Sequence, residues 1–124
     1  LAAALKVNSS ITELDVSLDL LTFEATKILV DTLVTSSTLM TLALSFNMVD
    51  DIVPDLAISL SSNTTLTSFD LSFNDIQDHG MVHLIPGIEK NTTLTHLALN
   101  DNGLRTPSMI VLSQCLRTNS TLLR

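Results

Sequence analysis

The chain has 124 residues, enough for one domain, and 45% of them are apolar, which excludes disorder from low hydrophobicity. Thirteen acidic against six basic side chains give a net charge of −7, which excludes the clustered Lys and Arg that nucleic acid or an anionic membrane surface demands. No apolar run approaches the ~20 residues that cross a bilayer, no basic stretch precedes an apolar one as in a signal peptide, and the single cysteine, Cys115, excludes a disulfide within the chain.

Aromatic residues are only 3%, with no Trp or Tyr, so the core must be built from Leu, Ile, Val and Met. In chain order, Leu1 and Leu5 lie four apart, the spacing of one helix face. Ile11-Thr12-Glu13-Leu14-Asp15-Val16 then alternates as a strand with one buried side. A helix follows with Leu29 and Leu33 on one face. The strand pattern returns at Leu39-Met40-Thr41-Leu42-Ala43-Leu44, with Leu56 and Leu60 on the next helix. It returns again at Leu66-Thr67-Ser68-Phe69-Asp70-Leu71, with Leu84 and Ile88, and at Leu94-Thr95-His96-Leu97-Ala98-Leu99, with Leu112 and Leu116. A fifth copy opens at Leu122. The starts at 11, 39, 66, 94 and 122 are spaced 28, 27, 28 and 28 residues apart. A unit this small cannot seal its own apolar face, so neighbours must stack around a shared core. Parallel strands need a long crossover, and the helix supplies it.

Local chemistry fits these units. Thr106 and Pro107 read as N-cap and first helical residue. Asp51 and Asp78 precede helices, where a carboxylate favours the helix dipole. Asn63, Asn91 and Asn119 follow helices, where a left-handed C-terminal cap is expected. Pro86-Gly87 predicts a kinked or shortened third helix. The one-residue-short second unit, with Pro54 near its helix start, predicts a further irregularity. Asn47, Asn74 and Asn102, just after each strand, predict a ladder of buried amides serving backbone groups. Asp19 takes that place in the first unit, where an ionised carboxylate cannot donate.

The pattern resembles the leucine-rich repeats of the ribonuclease-inhibitor subtype, L-x-x-L-x-L-x-x-N-x-L followed by a helix, over essentially the whole chain. The resemblance implies a right-handed α/β solenoid, a horseshoe segment with parallel strands on the concave face and helices on the convex face. It describes a single domain over residues 1–124: a partial repeat at 1–10, full repeats from 11, 39, 66 and 94, and a truncated one from 122. Leu1 begins mid-helix and Leu122-Leu123 open a strand, so the expectation is a piece of a longer array. Its uncapped apolar ends predict association end to end.

Protein partners usually dock on the concave sheet of such arrays, so the outward strand positions are the candidate contacts. They are Glu13, Asp15 and Ser17; Thr41, Ala43 and Ser45; Ser68, Asp70 and Ser72; His96, Ala98 and Asn100. This face carries three carboxylates and neither Lys nor Arg, which suits a basic protein partner, although small and acidic residues also simply keep a sheet soluble. Leu18, Phe46, Phe73 and Asp101 precede the ladder position. Phe46 and Phe73 fall on adjacent repeats as a rim that either packs on the turn or anchors the partner.

Other features read as structural. His79 and His83 are spaced for a metal but have no third ligand. Cys115 beside Leu116 reads as a small buried hydrophobe. Asn8-Ser9-Ser10, Asn63-Thr64-Thr65, Asn91-Thr92-Thr93 and Asn119-Ser120-Thr121 are glycosylation sequons whose spacing follows from the turn. No nucleophile–base pair or phosphate loop appears. The expectation is a non-enzymatic protein-interaction module without a cofactor, metal, nucleic-acid or membrane partner. It is cytoplasmic, or delivered to a host cytosol if it is a bacterial effector. Open beside it are a scaffold segment of a larger effector or immune-type receptor, and part of a GTPase-activating protein.

Overall fold

The structure is a computed structural model and describes residues 2–19 and 21–123; Leu1, the first leucine of the helical frame, lies outside them. The chain alternates helix and strand: α1 (Ala2–Val7), β1 (Glu13–Asp15), α2 (Phe23–Leu33), β2 (Thr41–Ala43), a 3-10 turn (Asp50–Ile52), α3 (Val53–Ser62), β3 (Ser68–Asp70), α4 (Gln77–Lys90), β4 (His96–Ala98) and α5 (Thr106–Leu116). The four strands form one sheet in the order β1-β2-β3-β4, and every pairing is parallel. Leu14 faces Leu42, Leu42 faces Phe69, and Phe69 faces Leu97, so equivalent residues of successive units are adjacent rungs. The Leu123 N–H donates to the Thr95 carbonyl at 2.8 Å, so the fifth copy begins alongside β4.

The core is the seam between sheet and helices. Leu42, Leu44, Leu66, Phe69 and Leu71 from the strand segments meet Leu33, Leu56, Leu60, Leu84 and Ile88 from the helices, all fully buried. Each such side chain contributes roughly 1.5–3 kcal/mol of burial. Beyond β4 the same seam is open. Leu97, Leu99, Leu112, Leu116, Leu122 and Leu123 line an apolar groove of about 190 Å³.

Two amide ladders hold the units in register. After the strands, the Asn74 amide donates to the Leu44 and Leu71 carbonyls, both at 2.9 Å, and its oxygen accepts the Asn47 N–H at 2.8 Å. Asn47 and Asn102 repeat this pattern, and all three are buried. Asp19 stands exposed instead. After the helices, Asn63, Asn91 and Asn119 donate to the Leu33, Leu60 and Ile88 carbonyls of the preceding unit at 2.6, 2.8 and 2.9 Å. Their oxygens accept the N–H groups that open the next turn. They are not left-handed caps. Asn63 and Asn91 have φ of −73° and −72° and extended backbones, because the amide must reach sideways to its neighbour.

The helix termini differ from the sequence reading in three places. Helix α5 starts at Thr106 itself, with Arg105 as the N-cap residue and Pro107 in its first turn. Asp51 lies in the 3-10 turn and makes no capping bond. Helix α4 runs unbroken through Pro86 and is the longest of the described helices at 14 residues. Pro86 is on its exposed side, where water can serve the carbonyl it leaves free. Gly87 faces inward, and a Cβ there would lie 2.5 Å from the Ala57 carbonyl oxygen. The glycine lets α3 and α4 touch backbone to backbone.

The strand-to-helix turns use left-handed backbone in every unit. Leu18, Phe46, Phe73 and Asp101 have φ of 64°, 60°, 58° and 53°, and two residues later so do Met48, Asp75 and Gly103 at 51°, 54° and 67°. A side chain at such φ costs about 1–2 kcal/mol. Met48 is 76% exposed and packs little, so Met48→Gly is expected to stabilise the fold by about 0.5–1 kcal/mol, strain relief outweighing the added chain entropy. Its urea midpoint should rise. Asn74→Ala leaves the buried Asn47 N–H without a partner, while the Leu44 and Leu71 carbonyls keep the Asn47 and Asn102 amides, and should cost about 1–3 kcal/mol, seen as a lower urea midpoint at unchanged m-value.

Candidate functional site

Register places the outward residues in rows. Glu13, Thr41, Ser68 and His96 form one, and Asp15, Ala43, Asp70 and Ala98 the next. The ladder continues past the strand ends, with Leu44 donating to Asp70, Leu71 to Ala98, Phe46 to Ser72 and Phe73 to Asn100. It therefore carries two further rows, Ser17, Ser45, Ser72 and Asn100, then Leu18, Phe46, Phe73 and Asp101. All the candidate contacts lie on this continuous face.

They do not all reach solvent. Glu13, Asp15, His96, Asn100 and Asp101 are exposed, and Thr41, Ser68, Asp70 and Ser17 are half-buried. Ser45 and Ser72 are buried and lie beside the Asp70 carboxylate. The Asp70 carboxylate accepts the Ser72 N–H at 2.8 Å, with the Ser72 and Ser45 hydroxyls also favouring its charge. Partial burial works against its charge, but these bonds outweigh burial and hold its pKa below the usual range. Asp15 is set the same way by the Ser17 hydroxyl and by the Ser17 N–H at 2.9 Å, and its pKa is also lowered. Each carboxylate thus stays ionised and fixed, with acceptor capacity left over. Small residues, Ala43 and Ala98, flank Asp70 on its row. A shallow depression of about 280 Å³ opens there, between Asp70 and His96.

At the rim, the Phe46 and Phe73 rings are stacked with centroids 4.2 Å apart and planes 8° from parallel. They pack on each other, and each is still 42% exposed. Leu18 and Met48 extend the apolar ridge at 68% and 76% exposed.

The remaining titratable groups are dispersed. His79 and His83 are both exposed, and among the described residues no three His, Cys, Asp or Glu side chains gather as a metal site would require. Cys115 is fully buried; burial, with Glu89 nearby, raises its pKa and keeps the thiol protonated. Among the described residues no helix is long and apolar enough to cross a membrane.

Residues 62–84 and 90–113 match the family model Leucine Rich repeat. Each match runs from a post-helix asparagine turn through a strand and into the following helix. No curated protein matches the chain. Among solved structures, one titled "Leiomodin-1 Actin-Binding Site 2 (ABS2)" superposes with a TM-score of 0.90 at 27% identity, covering 98% of this chain and 73% of that one. A Caenorhabditis elegans tropomodulin C-terminal domain superposes at 0.58 with 10% identity, covering 95% and 90%; that likeness concerns the fold.

Asp78, read from the sequence as a dipole partner of its own helix, lies in the first turn of α4 and also serves the next unit. Its carboxylate accepts the Ser108 hydroxyl, and the Arg105 N–H at 2.9 Å. The Ser108 bond first, then the Arg105 N–H, lower its pKa. A depressed carboxylate stabilises the fold fully above its ordinary pKa of about 4 and ceases to as pH falls through the folded value. Asp78→Ala should therefore lower the unfolding midpoint at pH 7, and the gap to wild type should narrow progressively below about pH 4. Thermal unfolding at a series of pH values measures it.

Proposed function

We propose that this chain is a non-enzymatic protein-binding module that engages its partner on the strand face and the Phe46–Phe73 rim, and that the partner is actin. One observation carries the docking surface. Four rows of outward residues hold pinned, ionised carboxylates without any Lys or Arg, and an exposed aromatic stack borders them. Pre-set carboxylates lose little freedom on binding a cation, and a ring at the edge of a polar surface supplies buried area that charge alone cannot. Actin as the partner is supported by the likeness over nearly the whole chain to a leiomodin structure whose title names an actin-binding site. Such a partner is cytoplasmic, and we place this module in the same compartment. The basic character belongs to the patch of the partner that meets Asp15 and Asp70.

Co-sedimentation with actin tests both parts. Wild type is expected to bind. The pair Asp15→Lys with Asp70→Lys should weaken binding at least tenfold, or ~1.4 kcal/mol, with the fold retained by circular dichroism. Failure of wild type to bind removes actin as the partner. Unchanged affinity in the charge-reversed pair removes the strand face as the docking surface.

A further inference from the structure

We propose that the outer face of Phe73 and the carboxylate of Asp101 form a receptor for one arginine side chain of the protein partner. The inference rests on the reading that a partner docks at this rim, and it names the group the rim takes.

The stack runs along the repeat axis, from Phe46 to its equivalent Phe73 with planes 8° from parallel. The free face of Phe73 is therefore turned toward the next repeat. There the equivalent position is Asp101, which has the same left-handed backbone, and the Phe73 N–H is tied to the Asn100 carbonyl at 2.8 Å. A short carboxylate thus stands where a third ring would continue the stack. Phe73 is 42% exposed and Asp101 is exposed.

Among the described residues Asp101 is uncommitted, as Glu13, Asp19, Asp50 and Asp51 also are, whereas the other aspartates are engaged. Asp15, Asp70 and Asp78 accept local N–H or hydroxyl groups, Asp75 accepts the Gln77 amide, and Asp31 and Asp55 share Lys27. Among the described residues the Asp101 side chain makes neither a hydrogen bond nor an ion pair. A planar guanidinium fits this vacancy. It lies flat on an aromatic face while its edge donates two parallel bonds to a carboxylate. An ammonium group has the charge without the plane. The chain's net charge of −7 favours the approach of any cation, and the ring beside the carboxylate selects arginine.

The test titrates the full chain with N-acetyl-arginine amide by NMR at low salt, beside the lysine analogue and the uncharged, isosteric citrulline analogue. Arginine is expected to give saturable shifts at the Phe73 ring and the amides of residues 100–102. Lysine should bind at least fivefold more weakly, and citrulline should give no saturable shift. Phe73→Leu and Asp101→Asn should each weaken arginine binding at least fivefold, and Asp75→Asn should leave it unchanged. Both substitutions suit the backbone, since Leu18 already occupies this conformation in the first repeat and Asn tolerates it. Equal shifts with citrulline, or affinity indifferent to both variants, overturn the proposal. Arginine binding by a chain that does not sediment with actin upholds the receptor and removes actin; the converse removes the receptor alone.

Discussion

The architecture depends on supplying hydrogen-bond partners to backbone that turns inside the protein. A stack of strand-helix units buries its turns as well as its leucines, and a buried N–H or C=O without a partner costs about 1–3 kcal/mol. The side-chain amide solves this because it donates and accepts at once. From the second unit onward two asparagines per period do so, one after the strand and one after the helix, each reaching into the neighbouring unit. No buried side-chain polar atom among the described residues lacks a partner. The leucines supply the driving force. The amides determine how one unit sits on the next, and so where the outward rows fall.

That placement makes the surface legible as a functional object. Because register is held at every rung, the carboxylates of Asp15 and Asp70 lie on one row with alanine beside them. Because the turn after each strand enters the left-handed region, the residue there projects as a rim side chain in every repeat. A strained backbone position thus displays Leu18, two stacked phenylalanines and Asp101 in series, apolar at one end and acidic at the other.

The repeat, its period and the rungs formed by Leu14, Leu42, Phe69 and Leu97 could be read from the sequence, because both hydrophobic periodicities recur four times in step. The ladder of Asn47, Asn74 and Asn102 could be read for the same reason, and so could the adjacency of Phe46 and Phe73. What escaped were contacts between repeats whose cause lies in the neighbour. Asn63 and Asn91 look like helix caps when one unit is considered alone. Their recurrence at the ladder's own spacing was the available signal for a second ladder. The outward serines were indistinguishable from surface serines until the turn buried Ser45 and Ser72 beneath Asp70. Left-handed backbone was announced by glycine only at Gly103, since Phe46, Met48 and Asp75 adopt it against their preference. Pro86 looked like a helix breaker, and α4 passes through it because the ring faces water while Gly87 meets α3.

Asn102 precedes Gly103, the dipeptide in which a side-chain amide most readily closes on the following backbone nitrogen and hydrolyses. Here both ends of the amide are bonded, the oxygen to the Asn74 and Ile76 N–H groups and the nitrogen to Leu71, so the native turn suppresses deamidation. A chain that unfolds, even briefly, loses this shelter, and the aspartate or isoaspartate formed could no longer donate to Leu71 on refolding. The covalent lifetime of the fourth repeat is thereby set by how seldom it opens.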